Sequence, residues 1–261
     1  MKKVIYHKQK LIDLLGNYED KSILDYGCGD GDFIDILLKK NQKPNVIYAV
    51  DAEPKMIEKV NNRFKNLIDQ QLVIPKLVST PQELEHLKFD KIICHNVLEC
   101  IDDKLTFINN FSKLLKSHSI FILSHHDFDS ALYNSHFKNL TRQLVHHFSD
   151  TQQQWQKYSD GQMGRKIPGL LSQSIFNAHY HCETWRLFET KFIDDNYGFL
   201  MADMLMDAGK GHFPDSELHQ WYQDLVKKHD SGEYYFAIDL VYAICTFTIP
   251  FATHSCSNRG S

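Results

Sequence analysis

The sequence predicts an α/β fold, a mostly parallel sheet covered on both faces by helices, in one domain spanning residues 1–261. Three observations carry that expectation. Short, nearly continuous apolar runs alternate with stretches of helical periodicity, the pattern of strands buried on both faces. A loop with three alternate glycines joins the first apolar run to the helix after it. The 261 residues, 43% hydrophobic and 24% charged, have the composition of an ordinary globular domain.

The elements follow in order. Residues 7–18 place Leu11, Ile12, Leu14, Leu15 and Tyr18 at helical spacing. A short strand, Ser22-Ile23-Leu24-Asp25-Tyr26, runs into the glycines, and the next helix sets Phe33, Ile34, Leu37 and Leu38 on one face. Beyond Pro44, a second strand runs through Val46-Ile47-Tyr48-Ala49-Val50 to Asp51. Pro54 suits the first turn of a helix carrying Met56, Ile57, Val60, Phe64 and Leu67. Strands at 72–78 and 90–95, a helix with Leu105, Ile108, Phe111, Leu114 and Leu115, and a strand at 119–124 complete the alternation. Then the pattern changes. Residues 127–169 are polar, rich in His and Gln, and are expected to hold no strand. A helix is expected at 172–178, a strand at 184–193, helices at 198–208 and 214–229, and a last strand at 236–243.

Charge and cysteine usage narrow the function classes. The 29 Lys and Arg against 33 Asp and Glu give a net charge of −4, so no global basic field favours nucleic acid. Six cysteines, at 28, 94, 100, 182, 245 and 256, include no C-x-x-C pair; a reducing, cytoplasmic setting is expected. The first residues lack a signal-type apolar run. The apolar stretch 234–252 is long enough to span a bilayer, but it contains Asp239 and ends near Pro250, which favours a buried strand and no membrane span.

Asp25-Tyr26-Gly27-Cys28-Gly29-Asp30-Gly31-Asp32-Phe33 is the sharpest motif. Glycines between a strand and a helix let a ligand approach the backbone. The spacing fails the G-x-G-x-x-G fingerprint of dinucleotide sites, since Asp32 or Ile34 stands where the last glycine belongs. No G-x-x-x-x-G-K-[ST] occurs either. Three carboxylates in the loop disfavour pyrophosphate and suit a ligand with cationic groups. Asp51, ending the second strand, can accept hydrogen bonds from both hydroxyls of a ribose.

Together with Phe89-Asp90-Lys91-Ile92-Ile93-Cys94-His95-Asn96-Val97-Leu98, these motifs resemble the class I S-adenosylmethionine-dependent methyltransferases over about residues 7–126. The C-terminal half is loosely similar to methyltransferases of ubiquinone, menaquinone and polyketide biosynthesis, through Arg165-Lys166-Ile167-Pro168-Gly169 and the apolar strand after Gly232. The resemblance implies a Rossmann-like, doubly wound, seven-stranded sheet with an antiparallel last strand, and S-adenosyl-L-methionine as cofactor. It also implies cofactor contacts from Asp25, Gly27, Cys28 and Gly29, from Asp51 and Ala52 at the ribose and adenosine, and from Asn96 and Val97 beside the methyl group. Thr80 stands where the family often has an acid near the adenine, so Thr80 or Gln82 is expected to substitute.

The expected activity is methyl transfer to a small-molecule acceptor at O, N or C. The alternatives are an RNA or protein methyltransferase and a non-catalytic cofactor-binding or scaffold protein. Where the acceptor must lose a proton, His95, His125 and His126 are the candidate bases, or else polar groups satisfied at the sheet edge. Strand alternation sends His125 and His126 to opposite faces. No zinc-type spacing is present, so no metal is expected. The segments 127–169 and 198–229 are expected to form a lid, with Trp155, Tyr158 and Met163 at the acceptor, or else to complete the core or a homodimer contact.

Overall fold

The computed structural model describes residues 6–151 and 159–247. Seven strands form one sheet: β1 (Ser22–Tyr26), β2 (Val46–Asp51), β3 (Val73–Leu77), β4 (Phe89–His95), β5 (Leu115–Tyr133), β6 (Tyr180–Glu189) and β7 (Phe236–Phe247). Their order is β3-β2-β1-β4-β5-β7-β6. Strands β1 to β5 pair in parallel, whereas β7 slots between β5 and β6, antiparallel to both. The strand order reverses at β1, which opens a crevice beyond the carboxyl ends of β1 and β4.

Helices α1 (Tyr6–Asp13), α2 (Asp32–Lys39), α3 (Pro54–Arg63), α4 (Lys65–Asp69), α5 (Lys104–Asn110), α6 (Lys138–Asp150), α7 (Met163–Gln173), α8 (Tyr197–Gly209) and α9 (Asp215–Asp230) flank the sheet. One apolar cluster gathers Leu11 of α1, Leu37 of α2, Val60 of α3, Leu144 of α6, Met201 of α8 and Trp221 of α9. A second gathers Ile108 of α5 and Ile167 of α7 with Ile92 and Val241. The double cover explains why the central strands read as continuous apolar runs: Ile23, Leu24, Asp25 and Tyr26 are all buried.

The expected elements are present, with shifted ends and four larger differences. The helix after Pro54 breaks at Phe64, whose φ of −116° leaves the helical region, giving α3 and α4. Strand β5 does not stop at residue 124. It continues to Tyr133, although 127–169 was expected to hold no strand. Ser124, His125, His126 and Asp127 pair with Tyr242, Val241, Leu240 and Asp239, and pairing resumes at Leu132 after a bulge. Long-range pairing on an antiparallel partner overrides the local polarity of this stretch. The helix expected at 172–178 lies earlier, as α7, with Pro168 inside it. Strand β6 begins at Tyr180, four residues before the expected start.

Of the two segments expected to form a lid, 127–169 divides between the faces, and the helices of 198–229 join its α6 on one of them. Helix α7 packs on β5 and β7, whereas α6 packs on α8 and on β5. Both therefore help to complete the core. Trp155 and Tyr158 lie outside the described residues. Among the described residues, no helix is long and apolar enough to cross a membrane.

Candidate active site

The glycine loop folds back on β2. The N–H groups of Gly27 and Cys28 both donate to Val50 O, at 2.8 and 2.9 Å. Gly27 adopts a φ of +74° and sits under Val97, so a Cβ there would lie 2.2 Å from Val97 Cγ2. Gly29, at φ +54°, differs: a Cβ would meet no protein atom within 4 Å. The loop is thus packed on one side and open at Gly29.

Asp51 braces that open point. Its Oδ2 accepts the Gly29 N–H at 2.9 Å, and its Oδ1 accepts the Glu53 N–H at 2.9 Å. A carboxylate has about four lone-pair positions, so Asp51 keeps capacity for a ribose hydroxyl. Ala52, exposed, follows it along the edge. Thr80 is tied into a capping box, its N–H donating to Glu83 Oε1 at 2.8 Å.

Asp25 is 1% exposed and its Oδ2 has no hydrogen-bond partner among the described residues. Burial pushes its carboxyl up to about 7; Lys8 works against the shift, and Asp51 and Asp32 add to it. Burial also pushes the Cys28 thiol far above its ordinary value, so it is no nucleophile at neutral pH.

Beyond β4 and β5 lies a cluster of aromatic rings. His95, His126 and His7 stand 5.0–5.5 Å apart, centroid to centroid. Tyr197 stacks on His126 at 4.6 Å and meets His7 edge-on at 5.5 Å. Phe33 closes on His95 at 5.8 Å. His95 Nδ1 is 2.9 Å from Ser124 Oγ, and His126 Nδ1 is 2.9 Å from Asn96 Nδ2. One nitrogen of each imidazole, His7 Nδ1, His95 Nε2 and His126 Nε2, is buried without a partner among the described residues. Burial is the main cause of their lowered pKa values: His7 falls to about 3, and His95 and His126 fall well below 6.5. All three are neutral at physiological pH. His125 occupies the other face of β5, its ring meeting Phe128 edge-on at 5.8 Å; burial lowers it to about 4.

The structure thus brings together Asp25, Gly27, Cys28, Gly29 and Asp51 at the loop, and His95, Asn96, Val97 and His126 next to it. It takes Met163 elsewhere, fully buried in the apolar cluster of α7 and the sheet. Arg165, from the loosely similar C-terminal stretch, is ion-paired with Asp127 at 2.5 Å and with Asp129 at 3.2 Å. Sequence reasoning missed three residues. His7 lies on the same face of α1 as Leu11, four residues on, and that spacing was the available signal. Tyr197 is set by Glu189, which accepts the N–H groups of Tyr197 and Gly198 at 2.8 and 2.7 Å. Glu99, just after β4, has its carboxyl pushed up to about 7 by burial and by Asp160. Among the described residues, no three His, Cys, Asp or Glu side chains are placed to hold a metal ion.

A family model described as a methyltransferase domain matches residues 17–193, well over half of the chain. The chain belongs to that methyltransferase family. Among curated relatives, this methyltransferase is similar to the ubiquinone biosynthesis O-methyltransferase of Histophilus somni, 26% identical over 109 residues. That match covers 40% of this chain and 44% of the relative. It is also 20% identical over 242 residues to an uncharacterised 37.1 kDa transposon protein of Streptomyces fradiae, covering 93% of this chain and 67% of that one. Among solved structures, the YcgJ protein of Bacillus subtilis shares the fold at 16% identity with a TM-score of 0.59, over 94% of this chain and 99% of that one. A Thiobacillus denitrificans S-adenosylmethionine-dependent methyltransferase, solved with S-adenosyl-L-homocysteine, shares it at 13% identity with a TM-score of 0.50, over 93% and 92% of the two chains.

S-adenosylmethionine, the cofactor that the sequence resemblance implies, fits the residues present. The orphaned Asp25 Oδ2 offers a buried acceptor for an ammonium group, Gly29 leaves an open flank, and Asp51 has lone pairs to spare. When bound, that cofactor supplies an electrophilic sulfonium methyl group.

Proposed function

We propose that this methyltransferase transfers a methyl group from S-adenosylmethionine to a small-molecule acceptor held among His7, His95, His126 and Tyr197. The observation that carries the reading is the buried ring cluster beside the glycine loop, with three unpartnered imidazole nitrogens. A site roofed by α1 and floored by β4 and β5 suits a compact ligand better than a polymer. The net charge of −4 supports the same choice. Burial excludes water from the methyl group's path, and the neutral imidazoles orient the acceptor by hydrogen bonds. Glu99, close enough to Tyr197 to act on its hydroxyl and with a carboxyl pushed up to about 7, is available to take a proton from an O–H or N–H acceptor. The described cysteines are free thiols, which fits a cytoplasmic setting.

The test incubates the protein and labelled S-adenosylmethionine with pooled metabolites and quinone precursors, followed by mass spectrometry for methyl addition. Labelled small-molecule products support the reading. Labelling confined to RNA or protein, or no labelling at all, overturns it.

A further inference from the structure

The contact between Asn96 and His126 fixes where the ring proton of His126 sits. Asn96 follows β4 with a left-handed backbone, φ +53°, which asparagine tolerates better than most residues. Its N–H donates to Ser124 O on β5 at 3.0 Å. Its side-chain oxygen accepts the backbone N–H of His126 at 2.9 Å. That assignment is independent of how the amide is drawn, because a backbone N–H can only donate. The amide nitrogen then stands 2.9 Å from His126 Nδ1. Two N–H groups cannot face one another at that distance, so Nδ1 carries the lone pair and Nε2 carries the proton. Asn96 Oδ1 lies farther from Nδ1, at 3.3 Å, and a proton on Nδ1 would gain that long contact only by opposing the nearer amide N–H. The Tyr197 hydroxyl, 3.5 Å from the same Nδ1, is a second group able to donate to it.

His125 has the opposite form. Its Nδ1 is 2.7 Å from the carbonyl oxygen of His126, which can only accept, so Nδ1 carries the proton and Nε2 the lone pair. Two adjacent histidines on opposite faces of β5 therefore hold opposite tautomers.

We propose that His126 is a locked hydrogen-bond donor at the acceptor site and not the base, that its Nε2–H binds an oxygen of the acceptor, and that Asn96 is the positioning residue that locks it. The proposal rests on the methyl-transfer reading above and names its substrate class: an acceptor presenting an oxygen lone pair, as a hydroxyl or carbonyl compound does. His126 Nε2 is fully buried and has no partner among the described residues. A bound oxygen pairs it, whereas a ligand lacking one leaves it orphaned, and sites built this way reject such analogues strongly. Among the described residues, the groups that act on the ring, His7, His95, His125, Lys8 and Tyr197, include no carboxylate that would favour an imidazolium.

The tautomer can be read without substrate, by nitrogen NMR of protein labelled in the histidine rings, with His126 assigned by comparison with His126→Gln. The expected result is a neutral ring protonated at Nε2 at and above neutral pH. Asn96→Asp is expected to move the proton to Nδ1, since a carboxylate there accepts from both the backbone and the ring. A wild-type ring protonated at Nδ1, or an imidazolium near neutral pH, overturns the lock. Turnover supplies the second arm. Glutamine can donate from near the Nε2 position but cannot act as a base, so His126→Gln is expected to keep activity within roughly tenfold, while His126→Ala loses roughly a hundredfold. A glutamine variant as inactive as the alanine variant, or an accepted substrate without oxygen, overturns the donor role. If the wild type methylates nothing, the proposed function falls, while the ring-proton measurement still decides the lock.

Discussion

Asp51 Oδ2 accepts the backbone N–H of Gly29 at 2.9 Å, so the end of the second strand holds the open point of the glycine loop in place. The same carboxylate also fixes the start of the next turn through the Glu53 N–H. Asp51→Ala therefore removes a candidate ribose acceptor and two loop hydrogen bonds together. Hydrogen bonds to a charged group contribute about 1.5–3 kcal/mol, so affinity for S-adenosylhomocysteine should fall by one to two orders of magnitude. Asn at this position, with one acceptor oxygen, should fall between the two. Calorimetry checks both, and an unchanged dissociation constant in Asp51→Ala would leave the carboxylate as a loop brace alone.

Gly27 and Gly29 should respond differently to alanine. At Gly27 the new Cβ collides with Val97, so Gly27→Ala should lower the melting temperature. At Gly29 no protein atom is in the way, and only the strain of a positive φ remains, about 1–2 kcal/mol. Gly29→Ala should thus fold nearly normally yet lose cofactor affinity. Equal melting temperatures for the two variants would contradict the packing seen here.

Asp25 should make cofactor binding pH-dependent. With its carboxyl near 7, Asp25 is largely protonated below that pH and ionised above it. A cationic ammonium prefers the ionised form, so binding should tighten as pH rises through about 7, with release of a proton. Asp25→Asn should flatten this dependence. The sign for folding is opposite. An acid whose folded pKa is raised stabilises the fold below its unfolded value, near 3.9, and loses that contribution as pH rises toward 7. Asp25→Asn should therefore raise the melting temperature of the ligand-free protein at pH 8 while weakening binding. Binding that is flat between pH 6 and pH 8 in the wild type would remove the role given to this carboxylate.

The buried histidines should make the fold acid-labile. His7, His95, His125 and His126 all have lowered pKa values in the folded state. The unfolded chain takes up their protons first, near pH 6.5, so stability is lost as pH falls below that value. The raised carboxyls of Asp25, Glu99 and Glu189 act in the other direction. Four groups against three, with the histidine shifts reaching well below 6.5, favour a net loss. The melting temperature should be lower at pH 5 than at pH 7.5, and a flat or rising profile would contradict this balance.

The core of this fold was legible because it is local. The glycine loop, Asp51 and the apolar β4 each carry their signal within a few residues, and all stand where expected. The extension of β5 through Asp127 was not. Its run of Ser, His, His and Asp reads as a loop until β7, more than a hundred residues later, supplies the partner ladder. The roles of His7 and Tyr197 were hidden for a related reason. Each sits on an ordinary amphipathic helix, and only the packing of that helix against the sheet brings its ring to His126. Met163 shows the converse: a side chain beside glycines and an arginine is an apolar core residue once α7 packs.

If the acceptor binds among the rings as proposed, α1 is the gate to it. His7 rests on the rings of His95, His126 and Tyr197, while its neighbours act as two latches: Lys8 pairs with Asp32 at 2.9 Å, and the Tyr6 hydroxyl faces the Glu189 carboxyl group. On the proposed reading, an acceptor reaches the buried ring cluster only when α1 lifts, and the helix reseats over it. Motions of that size take microseconds to milliseconds. Loosening either latch should then accelerate product escape and shorten the time the methyl group spends shielded from water, trading speed against wasteful hydrolysis.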